Sequence, residues 1–310
     1  MPESIKVYAP ATVANVTCGF DVLGFAVDNP GDEVELKLTE KPGVTIKRIT
    51  GDNGRLSLDP QKNTAGISIF KYLQHYGIEK GVEMTLHKKM PLGSGLGSSA
   101  ASSAAGVFAI SRLLGRNETA LELLPFAMEG EFIACGSAHA DNVGPALFGG
   151  FVLIRSYDPL DVVKIPTPEG LFTTIIHPHI EVETKDARNI LPRFIPLKDA
   201  IVQWGNVGGL IAGLMLKDLG LISRSLQDVI IEPKRAILLP GFYEAKHEAL
   251  QAGALGGGIS GSGPSIFQLS KDEATAIKVG DAMQAVYKEL GIGSEVYISR
   301  VNTEGPVICG

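Results

Sequence analysis

Pro91-Leu92-Gly93-Ser94-Gly95-Leu96-Gly97-Ser98-Ser99-Ala100-Ala101 is the stretch of sequence that decides the fold. Three glycines at alternating positions disfavour both a helix and a strand, so the stretch predicts a turn. Residues 82–87 before it alternate like a β-strand, and residues 98–114 after it have the composition and apolar spacing of a helix. Because the free N–H groups of a first helical turn point at such a loop, the stretch predicts a phosphate-binding loop.

Two common phosphate-loop patterns do not fit this stretch. A Walker A loop ends in Gly-Lys-Ser/Thr, whereas Gly97 is followed by Ser98. The dinucleotide fingerprint G-x-G-x-x-G needs another glycine spacing and a doubly wound series of strands and helices. The residues alone also fit a plain Ser/Gly/Ala loop that leads into a tightly packed helix.

Composition places the chain among globular proteins. Its 310 residues are enough for two domains, and 45% of them are hydrophobic against 20% charged. The net charge of -6 and the absence of a basic stripe argue against nucleic acid as the main partner. Locally placed cations must therefore bind any anionic substrate.

Cysteine use and the chain ends predict a cytoplasmic protein. Cys18, Cys135 and Cys309 have neither metal-type nor redox-type spacing, so free thiols in a reducing compartment are expected. The first ten residues lack the apolar core of an export signal, and nowhere do eighteen apolar residues run together. We therefore expect no membrane span and no membrane partner.

Periodicity along the chain predicts mixed α and β structure. Asn63 is a good N-cap for a helix that ends near Gly77. The proline and glycine cluster at 165–170 predicts a domain boundary. Further helices are predicted at about 118–130, 197–217, 241–251 and 272–289, strands at 5–9, 33–39, 44–49, 151–155, 172–176, 266–269 and 295–300, an extended piece at 182–187 and a loop at 136–145.

Three separated motifs resemble those of the GHMP kinases, in the same order and over nearly the whole chain. They are P-A-T-x-A-N…G-F-D at 10–21, the glycine-rich loop at 91–101 and G-I-S-G-S-G-P-S at 258–265. G-F-D-V-L-G at 19–24, H-x-D-N-V at 139–143, T-K-D-A-R at 184–188 and E-P-x-R at 232–235 most resemble the members that act on homoserine. Many relatives have Gly-Pro-Gly before Phe-Asp, where this chain has Thr17-Cys18-Gly19.

The resemblance implies an α+β fold of two domains. Residues 1–167 would form an ATP-binding domain like the second domain of ribosomal protein S5, and residues 168–310 a ferredoxin-like domain. The implied activity is ATP-dependent phosphorylation of the side-chain hydroxyl of L-homoserine, a step of threonine biosynthesis, with Mg²⁺ as cofactor. The family also suggests a homodimer.

The resemblance assigns residues to the nucleotide and the metal. Glu131 and the loop serine Ser98 match the magnesium ligands, while Glu129 is expected at the surface. Lys88 and Thr184 resemble the residues that contact the terminal phosphate. The predicted nucleotide-binding residues are Asn63, Pro91, Gly93, Ser94, Gly95, Leu96, Gly97, Ser98 and Ser99.

Homoserine needs a pocket for an ammonium, a carboxylate and a hydroxyl. Asp21, helped by Asn15, suits the ammonium, and the forks of Arg188 and Arg235 suit the carboxylate. Asn142 resembles the residue that hydrogen-bonds the reacting hydroxyl.

Three questions stay open at this level. Asp141 or His139 could serve as a general base, although the pattern of the homoserine-specific members implies no dedicated base. Another small-molecule kinase of the family, of mevalonate or shikimate type, is the alternative enzyme. A non-catalytic ligand sensor on the same fold is the alternative outside catalysis.

Overall fold

The strands form two β-sheets within residues 3–136 and 139–310, which are the parts of the chain that the structure, a computed structural model, describes. The first sheet has the order β11-β1-β2-β4-β3, with β5 paired to β2 and β6 to β5. Its β3–β4 pair is parallel and its other pairs are antiparallel. The strands are β1 (Ser4–Ala14), β2 (Leu23–Thr39), β3 (Gly43–Thr50), β4 (Gly81–His87), β5 (Phe151–Tyr157), β6 (Leu160–Ile165) and β11 (Val307–Ile308).

Helices cover these sheets. The first four pack together, and α2 also lies directly on β1 and β2. The helices are α1 (Thr64–His75), α2 (Ser98–Leu113), α3 (Ala120–Cys135), α4 (Ala140–Phe148), α5 (Thr184–Asn189), α6 (Leu197–Leu216), α7 (Leu219–Ser225), α8 (Glu232–Arg235), α9 (Phe242–Gln251) and α10 (Glu273–Glu289).

The second sheet is antiparallel and has the order β10-β7-β9-β8. Its strands are β7 (Phe172–Pro178), β8 (Gly256–Ile259), β9 (Ile266–Ser270) and β10 (Ser294–Arg300). Helices α9 and α10 pack against it. This strand order, with helices between β7 and β8 and α10 between β9 and β10, is the ferredoxin-like arrangement. The α+β prediction is confirmed.

The two sheets share a continuous core. Phe25 on β2 and Phe267 on β9 meet edge to face, with ring centroids 5.6 Å apart. Strands up to Ile165 belong to the first sheet and strands from Phe172 to the second, but β11 returns to pair with β1. We therefore propose the division at residues 167 and 168 as the domain boundary, with the last residues returning to the first domain.

Helix α3 runs further than the predicted end near Gly130. It continues through Pro125 and Gly130 to Cys135, and Gly136 ends it in a left-handed conformation. Gly130 is a packing residue rather than a helix stop, since a Cβ there would overlap the hydroxyl of Ser103 on α2. Consequently Glu131 lies on the helix, not after it.

The predicted loop at 136–145 is also wrong for most of its length, because α4 begins at Ala140. Pro145 lies inside this helix and has no N–H to donate to the carbonyl of Asp141. That carbonyl instead packs so closely on Gly24 that a Cβ could not fit between them. Ser137 and Ala138 lie outside the described residues.

The extended piece predicted at 182–187 is a helix from Thr184 onward. The short α5 follows Glu183, whose backbone is extended, and it places Thr184 and Arg188 one turn apart. A segment this short carries too little periodic signal to distinguish a single helical turn from an extended one.

Candidate active site

The predicted phosphate loop connects β4 to α2, as expected. Gly93, Gly95 and Gly97 have φ angles of 73°, 76° and 65°, a left-handed conformation that glycine adopts without strain. Gly97 is the N-cap of α2 and supplies no side-chain bond to the first-turn amides. The loop thus presents backbone N–H groups and the positive end of the helix dipole to an anion.

Gly95 and Gly97 also allow close packing with other segments. A Cβ on Gly95 would come within 2.5 Å of the carbonyl oxygen of Ser260 and 2.8 Å of that of Gly263. A Cβ on Gly97 would overlap the Thr12 hydroxyl. By contrast, nothing lies within 4 Å of a Cβ built on Gly93.

Hydrogen bonds join the three motifs at this loop. Ser260 Oγ donates to Gly95 O at 2.7 Å, and Ser265 N donates to Ser94 O at 3.2 Å. Gly261 N donates to Ala14 O at 3.3 Å. The predicted convergence of the first, second and third motifs is therefore present in the structure.

A cleft of about 460 Å³ opens beside the loop. Two predicted site residues, Pro91 and Leu96, do not line it, and the Leu96 side chain is buried in the core. The remaining predicted residues do line it: Asn15, Asp21, Asn63, Lys88, Gly93, Ser94, Gly95, Gly97, Ser98, Ser99, Glu131, Asn142, Thr184, Arg188 and Arg235. Sequence reasoning missed Phe20, Arg55, Leu56, Lys62, Thr64 and Ile133, which line it as well.

At one end of the cleft, Asp21 and Arg188 bind each other. Arg188 donates both terminal nitrogens to the Asp21 carboxylate, at 3.0 and 3.2 Å. Asn15 holds the backbone of Asp21 in place, because its Oδ1 accepts from Asp21 N at 3.1 Å. Its Nδ2 donates to Gly261 O at 2.8 Å. The two charges that the sequence assigns to different groups of the substrate are thus paired with each other.

Arg235 is buried at the same end. Its Nε donates to Ala187 O at 3.0 Å, and one terminal nitrogen donates to Gly261 O at 2.8 Å. Burial lowers the pKa of Arg235 to about 10, and the positive charge of Arg188 adds to that lowering. Its guanidinium is therefore fixed in position at the cleft, where it can bind an anion.

The loop beneath these groups is strained. Asn15, Val16 and Thr17 have φ angles of 72°, 41° and 59°, a left-handed conformation that costs β-branched residues free energy. Asp21 adopts it too, at 59°. No glycine marks these positions, so the sequence carries no signal of the conformation.

Asn142 is oriented by a residue that sequence reasoning did not select. Thr12 Oγ1 donates to Asn142 Oδ1 at 2.8 Å, which leaves the amide nitrogen of Asn142 as a donor toward the cleft. Thr184 lies across the cleft with its hydroxyl 3.3 Å from that of Ser262. Asn142 and Thr184, two of the three residues predicted to act in catalysis, therefore both line the cleft.

The two candidate bases differ in their environments. Burial raises the pKa of Asp141 to about 7, and the charges of Asp21 and Glu131 add to this. Burial lowers the pKa of His139, whose Nδ1 lies 3.9 Å from the Asp21 carboxylate. Of the two, Asp141 has a pKa raised toward neutral pH, whereas the pKa of His139 is lowered from its usual value.

Lys88 does not extend its ammonium to the cleft. Its Nζ donates to the Asp32 carboxylate, to Ser98 O at 2.8 Å and to Ser102 Oγ at 2.8 Å, which uses all three of its hydrogens. Asp32, which the sequence did not single out, also accepts from Ser98 Oγ at 2.9 Å. The lysine therefore anchors the first turn of α2 to Asp32, and its contact with the terminal phosphate stays a prediction.

Glu131 is paired with Ser99 rather than Ser98. Burial raises the pKa of Glu131, opposed by a hydrogen bond from Ser99 and by the charge of Lys88. The hydroxyl of Ser98 faces Asp32 instead. A buried carboxylate beside a hydroxyl at a phosphate loop is a hard-oxygen donor set that suits Mg²⁺. Glu129 pairs with Lys71 at 3.5 Å, with both side chains well exposed.

Residues at the start of α1 also line the cleft. Asn63 is the N-cap of α1, since its Oδ1 accepts from Gly66 N at 3.2 Å, and it lines the cleft through the same buried side chain. The exposed cations Arg55 and Lys62 line the cleft as well. These residues add a polar side chain and positive charge to the cleft.

Comparisons with known proteins agree on one family. Residues 64–150 match the model of the GHMP kinases N-terminal domain, and residues 210–289 match that of the GHMP kinases C-terminal domain. The chain is 52% identical over 315 residues to a homoserine kinase of Chlorobium phaeobacteroides, covering 98% of both chains. It is likewise 52% identical to one of Chloroherpeton thalassium, at 98% coverage of both. A crystal structure of homoserine kinase from Cytophaga hutchinsonii aligns with a TM-score of 0.97 at 65% identity, covering 100% of this chain and 98% of the other.

Within residues 3–136 and 139–310, every helix is too short or too polar to cross a bilayer.

The glycines of the loop allow a graded test. Gly97→Ala should abolish ATP binding, because the new methyl group would collide with Thr12 as well as strain the backbone. Gly93→Ala is the matched control, since it has a similar φ but open space around its Cβ, and it should weaken binding much less. Calorimetric titration with ATP measures both. Equal losses in the two variants would contradict the packing account.

The neighbouring lysines 88 and 89 allow a second test. Lys88→Met should lower the free energy of unfolding by about 3–5 kcal/mol, because it leaves the Asp32 carboxylate buried without its ion-pair partner. Lys89→Met removes a half-exposed partner of Glu33 and should cost less than about 1 kcal/mol. Urea denaturation measures both variants.

A double variant separates anchoring from phosphate binding. Lys88→Met with Asp32→Asn removes both charges, so it should recover much of the lost stability and keep ATP binding within about tenfold of wild type. A stable double variant that no longer binds ATP would show that the ammonium itself contacts the phosphates.

Proposed function

The chain belongs to the GHMP kinase family, and we infer on that basis that it catalyses ATP-dependent phosphorylation of the side-chain hydroxyl of L-homoserine, giving O-phospho-L-homoserine for threonine biosynthesis. One observation connects the function of the relatives with the residues of this chain. A phosphate loop and a charged group of Asp21, Arg188 and Arg235 line the same cleft. One cleft can therefore take a nucleotide and an amino acid together.

ATP would place its phosphates on the loop. The amides of Ser98 and Ser99 and the dipole of α2 favour the phosphate charge. Asn63, with Arg55 and Lys62 nearby, would face the rest of the nucleotide. Thr184 remains our candidate for contact with the terminal phosphate.

We propose Mg²⁺ as the cofactor, held by Glu131 and Ser99. The pairing of these two side chains favours Ser99 over the predicted Ser98 as the loop ligand. When bound, the ion supplies positive charge that neutralises the phosphates. A kinase site needs few protein ligands for it, because phosphate oxygens and waters complete the coordination.

Homoserine would bind by exchanging partners with the Asp21–Arg188 pair. Its ammonium takes the place of Arg188 at the Asp21 carboxylate, and its carboxylate takes the place of Asp21 between Arg188 and Arg235. A zwitterion can pair with both Asp21 and Arg188 at once. A ligand with only one charge can pair with one of these two side chains and leaves the other without a partner. The pair therefore selects for substrates that carry both charges.

Transfer then depends on position and charge. Asn142, fixed by Thr12, donates a hydrogen bond to the substrate hydroxyl and directs its oxygen at the γ-phosphorus. The new O–P bond forms as the bond to the bridging oxygen breaks, ADP leaves, and the hydroxyl proton passes to the transferred phosphoryl group. Asp141 is the alternative proton acceptor, since a general base works best when its pKa, here raised to about 7, lies near the pH at which the enzyme operates.

A cytoplasmic location, with no role for nucleic acid or membranes, remains a prediction from the sequence. A homodimer remains a prediction that only the family resemblance suggests. The alternatives, a kinase of mevalonate or shikimate type and a non-catalytic sensor, are distinguished by testing several alcohols as phosphate acceptors.

Substrate selectivity tests the proposal. L-homoserine should be phosphorylated with a kcat/KM at least about thirtyfold above that of 4-hydroxybutyrate, which lacks the ammonium, and of 3-aminopropan-1-ol, which lacks the carboxylate. This corresponds to roughly 2 kcal/mol or more for each missing charge. A coupled assay of ADP release with ATP, Mg²⁺ and each alcohol in turn, with mevalonate and shikimate as further acceptors, measures the ratios.

Two outcomes would contradict this assignment. Equal turnover of mevalonate and homoserine would agree with the family assignment but would contradict homoserine as the preferred substrate. A well-folded chain that binds homoserine yet releases no ADP with any of these alcohols would favour the sensor.

A further inference from the structure

Phe20 lies against both arginines of the cleft. The guanidinium carbon of Arg188 is 5.6 Å from the centroid of its ring, and that of Arg235 is 5.0 Å away. The ring is half-buried and lines the cleft. Both distances are within the range in which a cation is attracted to an aromatic face.

The two arginines need such a partner because they repel each other. Arg188 comes from α5 and Arg235 from α8, more than forty residues later in the chain. Their convergence places two like charges at one end of a partly buried cleft, where repulsion is less screened than in water. Phe20 and Asp21, which are adjacent in the sequence, offset this repulsion. The ring of Phe20 lies against both arginines, and the carboxylate of Asp21 pairs with Arg188.

The two arginines are held unequally. Arg235 is buried and bonded to two backbone carbonyls, as described above. The side chain of Arg188 is 42% exposed, and its polar and aromatic contacts within the described residues are the fork to Asp21 and the ring of Phe20. When a substrate ammonium occupies Asp21, the Phe20 ring is the contact from the described residues that still holds Arg188 beside Arg235, ready for the substrate carboxylate.

We propose that Phe20 is a positioning residue that keeps Arg188 and Arg235 together as one carboxylate clamp, and that it thereby sets the preference for amino-acid alcohols over amino alcohols without a carboxylate. The inference rests on the proposed function. It adds a residue that acts through the two arginines and makes no contact with the reacting atoms.

Substitutions at Phe20 test this clamp. Phe20→Leu removes the aromatic face and keeps an apolar side chain, Phe20→Met does the same with greater length, and Phe20→Tyr keeps the ring as the matched control. For each variant, kcat and KM are measured with L-homoserine and with 3-aminopropan-1-ol, together with the KM for ATP. Using two ringless variants keeps the test decisive if one of them does not fold.

The expected result is a selective loss. In the Leu and Met variants the KM for homoserine should rise roughly tenfold and the preference over 3-aminopropan-1-ol should fall by a similar factor. The KM for ATP and the kinetics with 3-aminopropan-1-ol should stay near wild type, and the Tyr variant should retain the wild-type preference.

Other results would overturn the inference. A ringless variant that keeps the full preference, or a Tyr variant that loses it as completely as the Leu variant, would remove the role of the ring. A parallel rise in the KM for ATP and for both alcohols would indicate general damage to the cleft. Failure of the wild-type protein to phosphorylate homoserine would instead contradict the proposed function itself.

Discussion

The close approach of the phosphate loop to two other segments is the constraint on which the site depends. Gly95 packs on the carbonyls of Ser260 and Gly263, and Gly97 packs on Thr12. These contacts fix the first turn of α2, whose amides favour an anion, and they also place Asn142 through its bond with Thr12. The first turn of α2 and the side chain of Asn142 are therefore positioned by the same packing.

The positive charge in the cleft comes from a few side chains that line it rather than from the net charge of the protein. The chain carries a net charge of -6, yet it must bind a nucleotide and a carboxylate. Lys88 is paired with Asp32 in the interior. In the proposed function, Arg188 and Arg235 provide the charge for the carboxylate, and Arg188 is paired with Asp21 in the structure. If the proposal is correct, this pairing favours an amino acid over a simple carboxylate as the ligand.

The two-domain fold and most of the cleft residues were predictable through the resemblance of three motifs to a family, whereas individual elements were predictable from local signals. The strand, the glycine-rich turn and the helix at 98–113 were predictable from periodicity and from glycine alone. The helix through Gly130 was not, because tertiary packing on Ser103 makes that glycine necessary inside the helix. Neither the left-handed Val16 nor the role of Asp32 leaves a local pattern, since both depend on residues distant in sequence.

The most direct test of this account is a crystal structure of the enzyme with a non-hydrolysable ATP analogue, Mg²⁺ and L-homoserine. The account predicts phosphates on the amides of the loop, the substrate ammonium at Asp21 and its carboxylate between Arg188 and Arg235, with the Asp21–Arg188 pair opened. An intact Asp21–Arg188 pair, with homoserine bound elsewhere in the cleft, would contradict it.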